Sequence, residues 1–291
     1  MKTLTLFLLL ALPLGNAALA AGEPDETPPF MVDKNDGWKM NYTDTTASVM
    51  RTTDGGKNWT DVSPPALTAA IKSDPEFYDD FRQDITALSP LDKQRAWLAV
   101  IVKEKVKLEY TSSGGRDWRE IAGPGAMEGV SISFLDDQTG FILDSSDPAA
   151  GTMKKSVFGT QDGGRHWAAL GSPELEATSY YTTGISFCSS KIGWVTGTYH
   201  GAPDAPLFRT EDGGKSWQMQ TFEIPADYRG GYADTNPPVF IGADRKRGYL
   251  PVKLVRHDPP PGHITWVNYE TDDGGQTWHL PASGVQSVPD E

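Results

Sequence analysis

Thr160-Gln161-Asp162-Gly163-Gly164-Arg165-His166-Trp167 decides the architecture, because its pattern, Thr-x-Asp-Gly-Gly-x-x-Trp, returns along the whole chain. It recurs at Thr52 to Trp59, Thr210 to Trp217 and Thr271 to Trp278, and at Thr111 to Trp118 with Ser113 in place of the Asp. From Asp54 through Ser113, Asp162 and Asp212 to Asp273 the copies lie 59, 49, 50 and 61 residues apart. That period suits a propeller blade rather than a short solenoid repeat. The octapeptide reads as a hairpin turn. Its glycines supply positive φ, its Asp accepts hydrogen bonds from nearby backbone and from the Thr hydroxyl, and its Trp opens the next strand and buries a large ring. Asp54, Trp59, Ser113, Trp118, Asp162, Trp167, Asp212, Trp217, Asp273 and Trp278 are therefore read as structural. An active site rarely appears five times.

Upstream of each box a small residue precedes an aromatic: Gly37-Trp38, Ala96-Trp97, Gly140-Phe141, Gly193-Trp194 and Gly248-Tyr249. The aromatic opens an apolar run such as Trp97-Leu98-Ala99-Val100-Ile101-Val102, and strand-like stretches such as Val130 to Phe134 come before the turn. Each repeat thus reads as four strands, with the box joining the third to the fourth. The third strands are expected at Ser48 to Thr53, Lys105 to Thr111, Lys154 to Thr160, Ala205 to Thr210 and Ile264 to Thr271. The expected fold is all-β: a β-propeller of four-stranded antiparallel blades, five in number, or six if Ala66 to Asp84 hides a degenerate one. The repeat units fall at about 28–65, 84–123, 130–171, 183–220 and 238–281, within a single domain spanning 21–291.

These boxes resemble the Asp-box, or bacterial neuraminidase, repeat. Their Gly-Gly form with Gly-Trp turns upstream is most similar to the photosystem II stability/assembly factor-like propellers, over about Phe30 to Pro281. More distantly they resemble sialidase and sortilin-type propellers. The resemblance implies a β-propeller and, by way of the assembly factors, a protein-binding role. It implies no particular chemistry, since one fold serves many functions.

Composition bounds the rest. The chain has 291 residues, 26 basic against 39 acidic side chains and a net charge of −13, which repels polyanions and argues against nucleic acid as a partner. Met1 to Ala20 carries Lys2, an apolar run from Leu4 to Leu14 and the ending Ala18-Leu19-Ala20, the pattern of a cleaved signal peptide (1–20). A periplasmic or secreted protein is expected, without membrane insertion and monomeric. Cys188 is the single cysteine, so no disulfide forms within the chain. It sits in the strand-like run Gly184 to Cys188 and reads as a packed thiol.

Loop lengths point to a working face. The boxes and the turns between first and second strands are short, whereas the other connections carry the insertions: Pro64 to Asp84, Ser145 to Met153, Gly171 to Thr182, Tyr199 to Pro206, Phe222 to Pro238 and Arg256 to His263. Recognition concentrates in variable loops on a rigid scaffold. The candidate binding residues there are Tyr180, Tyr181, His200, Tyr228, Arg229, Tyr232, His257 and His263, since Tyr and Arg anchor interfaces and Gly-rich flanks let them adapt. In the first insertion Asp74-Pro75 reads as a helix start that puts Phe77, Tyr78 and Phe81 on one side, covering a blade edge.

No residue is assigned as catalytic, and no metal or cofactor is expected. A sialidase needs arginines gripping a carboxylate, a Tyr with a Glu, and an acid, all in the central funnel. Met50-Arg51-Thr52 and Phe208-Arg209-Thr210 belong instead to third strands. The histidines lack metal-ligand spacing, and there is no Gly-x-Ser-x-Gly, phosphate loop or Cys-x-x-Cys. The function expected is that of an exported interaction module, an assembly or quality-control factor acting on an envelope or secreted protein. The alternative is a glycan-binding or glycoside-hydrolysing, sialidase-like propeller, with a glycan as ligand.

Overall fold

The computed structural model describes residues 29–43, 46–65, 67–68, 86–102, 105–146, 153–171, 175, 180–198, 205–242, 244–256 and 264–282. They form five antiparallel sheets. Blade 1 is β1 (Phe30–Met31), β2 (Gly37–Tyr42), β3 (Ala47–Thr52) and β4 (Thr60–Asp61). Blade 2 is β5 (Thr86–Pro90), β6 (Ala96–Val102), β7 (Lys105–Thr111) and β8 (Arg119–Ala126). Blade 3 is β9 (Val130–Phe134), β10 (Gly140–Ser145), β11 (Lys155–Thr160) and β12 (Ala168–Leu170). Blade 4 is β13 (Tyr181–Phe187), β14 (Gly193–Thr198), β15 (Leu207–Thr210) and β16 (Gln218–Met219). In these four, spatial order follows chain order. Blade 5 departs from that plan. β17 (Tyr232–Thr235) and β18 (Val239–Ile241) share one edge of β19 (Arg247–Val255), since Pro237 and Pro238 cannot donate to a ladder and split the inner strand. β20 (Ile264–Thr271) covers the other edge of β19, and the outer strand is reduced to one bridge between Glu270 and His279. The chain is thus an all-β propeller of five blades; the helix expected from Asp74 and most of Ala66 to Asp84 lie outside the described residues.

The box works the same way in every blade. Its Thr pairs with the small residue that opens the second strand: Gly37 with Thr52, Ala96 with Thr111, Gly140 with Thr160, Gly193 with Thr210 and Gly248 with Thr271. Inner-strand side chains or backbone crowd the glycines among these positions: a Cβ on Gly140 or Gly193 would come within 2.4 or 2.5 Å of the Phe134 or Phe187 ring, and one on Gly37 within 2.4 Å of Met31 Sδ. The first box glycine donates its N–H, at 2.8 or 2.9 Å, to the carbonyl of Asn35, Gln94, Gln138, Lys191 or Lys246 in the turn of its own blade. Boxes and short turns therefore share one end of the propeller, bonded to each other.

Inside the box, the Thr160 hydroxyl donates to Asp162 Oδ1 at 3.0 Å and accepts from the N–H of Gly164 at 3.0 Å, while Asp162 also accepts from the His166 N–H and ring. Asp212 does the same with Thr210 and Ser216, and in blade 2 the Ser113 hydroxyl accepts the Asp117 N–H at 2.9 Å in the carboxylate's place. The His166 N–H, then its ring, holds Asp162 down at about 2; burial pushes Asp212 up, yet the Ser216 hydroxyl and N–H outweigh it and leave it at about 2 as well. A carboxyl lowered by folding stabilises above its unfolded value of 3.8 and loses that contribution as pH falls toward 2. Carboxyl-carbon NMR of the folded protein should find both midpoints near 2, with stability declining between about pH 4 and pH 2. Midpoints near 3.8 would mean that the boxes are not carboxylate-closed turns.

Apolar seams join successive blades. The second-strand aromatic of one blade meets the inner-strand aromatic of the next, and the next box Trp packs edge-on against them. Trp97 stacks on Phe134 at 4.2 Å with Trp167 at 6.2 Å from Phe134; Phe141 stacks on Phe187 at 3.5 Å with Trp217 at 6.1 Å from Phe187; Trp194 meets Phe240 at 5.1 Å and Trp278 at 6.1 Å. Each such pair contributes about 0.5–1.5 kcal/mol beyond its buried area. Between blades 1 and 2 the seam is Trp38, Met40, Val49, Ala96, Leu98 and Val100, plugged by Leu67 from the first insertion. The two terminal faces are built differently. Where Leu98, Ile142, Val195 and Leu250 face the preceding blade, blade 1 has Lys39, its ammonium over the Trp59 ring at 5.0 Å. Where Val49, Leu108, Val157 and Leu207 face the following blade, blade 5 has Asn268, which is exposed. Among the described residues no buried apolar cluster joins blades 5 and 1.

Candidate interaction face

At the end opposite the boxes the inner strands begin, the second strands finish and the third strands begin, so the insertions gather there. Tyr181 pairs with Thr198 in blade 4, and Tyr232 pairs with Val255, itself paired with Ile264, in blade 5. Tyr180 is half-buried, its ring 5.6 Å from Phe208. Tyr228 closes a 3₁₀ helix, Ala226–Tyr228, and is buried, its hydroxyl 2.7 Å from that of Thr265. It buttresses the turn that presents the next residue, Arg229, to solvent, with Tyr232 half-buried beyond Gly230-Gly231. The structure therefore brings Arg229 and Tyr232 together on blade 5, and puts Tyr180 and Tyr181 at the same end of blade 4. His200, His257 and His263 lie outside the described residues.

Beneath this face runs a polar collar that loop reading missed. The inner strands are tied blade to blade by hydroxyls along their length: nearer the box end Ser89 accepts the Phe134 N–H, Ser133 that of Phe187, and Ser186 donates to the Pro238 carbonyl at 2.7 Å, while nearer the looped end Ser131 accepts the Ile185 N–H. Thr183 donates to the Thr235 carbonyl at 2.5 Å and Thr198 to Asp234, which Lys253 approaches at 3.7 Å. Asp144 and Lys155 sit at the same end of blade 3. Burial raises the Asp144 carboxyl and lowers the Lys155 ammonium, which donates to the Met153 carbonyl at 3.0 Å. Both shifts disfavour charge. The repeat held the signal: Lys155 occupies the position filled by Ala47, Val106 and Ala205 in blades 1, 2 and 4.

The box end offers less. An open depression of about 520 Å³ between blades 4 and 5 is lined by Ser189, Lys191, Arg209, Glu211 and Gln276, among others. Arg209 already donates to Glu211 and lies over the Trp194 ring at 6.0 Å. Arg51 and Arg209 both lie on third strands, β3 and β15, away from the inner strands. Burial pushes the Cys188 thiol up, the opposite of what activates a nucleophile. Among the described residues no three His, Cys, Asp or Glu side chains are grouped to hold a metal ion.

Comparison with known proteins follows the same lines. A family described as photosynthesis system II assembly factor YCF48 matches residues 111–226, and the BNR/Asp-box repeat matches 269–280. None of the curated proteins compared matches the chain. Among solved structures, one described as YCF48 bound to D1 peptide is 16% identical with a TM-score of 0.46, covering 91% of this chain and 82% of its own. A xyloglucanase from Xanthomonas campestris is 15% identical with a TM-score of 0.50, covering 89% of this chain and 39% of its own. The six-bladed fucose lectin of Aleuria aurantia is 11% identical with a TM-score of 0.50, covering 90% and 77%. At these identities the last two speak for the fold alone. With its five boxes and its blade topology the chain is an Asp-box β-propeller, and over residues 111–226 it is similar to the photosynthesis system II assembly factor YCF48 family.

Proposed function

We propose that the chain is an exported, non-catalytic interaction module that binds an envelope or secreted protein through its looped end, in the manner of an assembly or quality-control factor. The observation that carries this reading is the contrast between the two ends. At the box end the repeated polar side chains are consumed by turn hydrogen bonds, whereas at the looped end Tyr181, Arg229 and Tyr232 stand on a hydroxyl-tied collar. Exposed Arg and half-buried Tyr on a rigid base are the residues that dominate protein interfaces. The matched family is named for an assembly factor, and the N-terminal pattern supports export.

Tyr181→Ala, Arg229→Ala and Tyr232→Ala combined should weaken capture of an envelope protein at least about tenfold while leaving thermal stability nearly unchanged, as interface anchors do. Quantitative mass spectrometry of affinity-purified wild type and variant from a detergent-solubilised envelope fraction reads the first effect, and a melting curve the second. Unchanged capture, or saturable binding on a glycan array instead, would overturn the reading.

A further inference from the structure

Among the described residues, nothing beyond the Glu270–His279 bridge pairs with the outer edge of β20. Glu270 and His279 exchange both backbone hydrogen bonds, at 2.8 and 2.9 Å, which fixes the side toward which alternate residues of β20 point. The N–H and C=O of Asn268, Trp266 and Ile264 share that outward side, while the intervening residues turn theirs to β19 along an unbroken register. The next hydrogen-bonded position would set Asn268 opposite Pro281, which has no N–H to give. Among the described residues the outer strand goes no further.

Other blades protect this edge. In blades 1, 3 and 4 the outermost strands, β4, β12 and β16, are two or three residues long, and β8 carries Gly123-Pro124-Gly125. Short edges and edge prolines discourage pairing with foreign strands. β20 has eight residues and no proline, and its outward face carries Ile264 and Trp266, 54% and 53% exposed. Trp266 occupies the position of Ala47, Val106 and Ala205, side chains buried in the other blades.

We propose that the β20 edge receives an extended segment of a partner polypeptide as the missing outer strand of blade 5, with apolar residues at alternate positions lying over Ile264 and Trp266. The proposal rests on the interaction role above and gives it a binding mode. A row of N–H and C=O groups that no described residue pairs, at strand spacing, specifies an extended backbone, and the flanking Ile and Trp specify apolar side chains at period two. The net charge of −13 favours a neutral or basic segment over an acidic one. Ile264 begins at the looped end, so such a segment would run from that face down the side of blade 5.

The probe is a phage-displayed library of extended peptides about twelve residues long, selected on the whole protein. Selected peptides should alternate apolar and polar residues and slow hydrogen exchange at the amides of Ile264, Trp266 and Asn268. Asn268→Pro, which removes an outward N–H that β19 does not use, should weaken them at least about tenfold. Trp266→Ser should do the same from the side-chain direction, should the proline variant fail to fold. Peptides that bind both variants as tightly as wild type, or no selected peptide at all, would overturn the proposal. If they instead lose affinity on the Arg229 and Tyr232 substitutions, the looped end binds without the edge and the broader function survives. A wild-type dimer that Asn268→Pro dissociates would assign the edge to a second copy and would also overturn it.

Discussion

Trp194→Ala is expected to lower the stability of the whole chain by about 4 kcal/mol, the cost of emptying a buried Trp site that cannot collapse. Its ring is fully buried between blades 4 and 5, against Phe240 and Trp278. Gly275 follows the same contour, since a Cβ there would lie 2.4 Å from Trp194 Cζ2. Beyond the lost area, the indole N–H donates to Gln220 Oε1 at 2.8 Å, and the Gln220 amide in turn donates to the carbonyls of Gly275 and Gln276 at 2.9 Å. Removing the indole orphans that acceptor and loosens the box it holds. Trp194→Phe keeps the six-membered ring and loses the hydrogen bond and the smaller half of the indole, so it should cost less, about 1–3 kcal/mol. Urea denaturation followed by near-ultraviolet circular dichroism separates the two; equal midpoints for wild type and Trp194→Ala would mean that the seam carries no stability.

The second large effect belongs to Arg51→Ala. The Arg51 guanidinium is buried, 2.7 Å from Asp36 Oδ1, and donates to the Lys93 carbonyl of the neighbouring blade at 2.9 Å, with its plane over the Trp38 ring at 4.9 Å. One side chain thus fastens its own turn, the next blade and the seam aromatic. Breaking a buried pair by deleting one partner costs about 3–5 kcal/mol, because the remaining charge is left desolvated. Lys93, 3.0 Å from the other Asp36 oxygen, moderates the loss toward the lower figure. Arg51→Lys should recover little of it, since an ammonium cannot match the planar fork or lie flat on the indole. A thermal melt of the variants checks this, and an Arg51→Lys protein as stable as wild type would contradict the geometry.

Much of this frame was legible in the sequence because the box is local chemistry. A Thr, an Asp and two glycines close their turn with groups no more than four residues apart, so the pattern survives without knowledge of the rest of the fold. The third strands expected at Lys105 to Thr111 and Ile264 to Thr271 are observed with those bounds, and the others differ by one or two residues. What stayed hidden depends on distant neighbours. Leu67 and Leu175 plug seams from within insertions, and nothing beside them in sequence announces burial. Tyr228 looks like Tyr232 on paper, yet a hydroxyl from Thr265 holds it inside. The broken inner strand of blade 5 was written in Pro237-Pro238, but its rescue by the long β19 was not. Lys155 and Trp266 become conspicuous only when the five repeats are aligned through their box threonines.

The most direct test of the two-ended account is photo-crosslinking inside the producing cell, with a benzophenone amino acid placed singly at Tyr181, Arg229 or Tyr232 on the looped end and at Lys57, Lys215 or Gln276 on the box end. The expected result is one shared envelope protein captured from the looped positions and none from the boxes. Capture from the box positions alone would contradict the account, because it would make the repeated turns the working surface and the loops their scaffold.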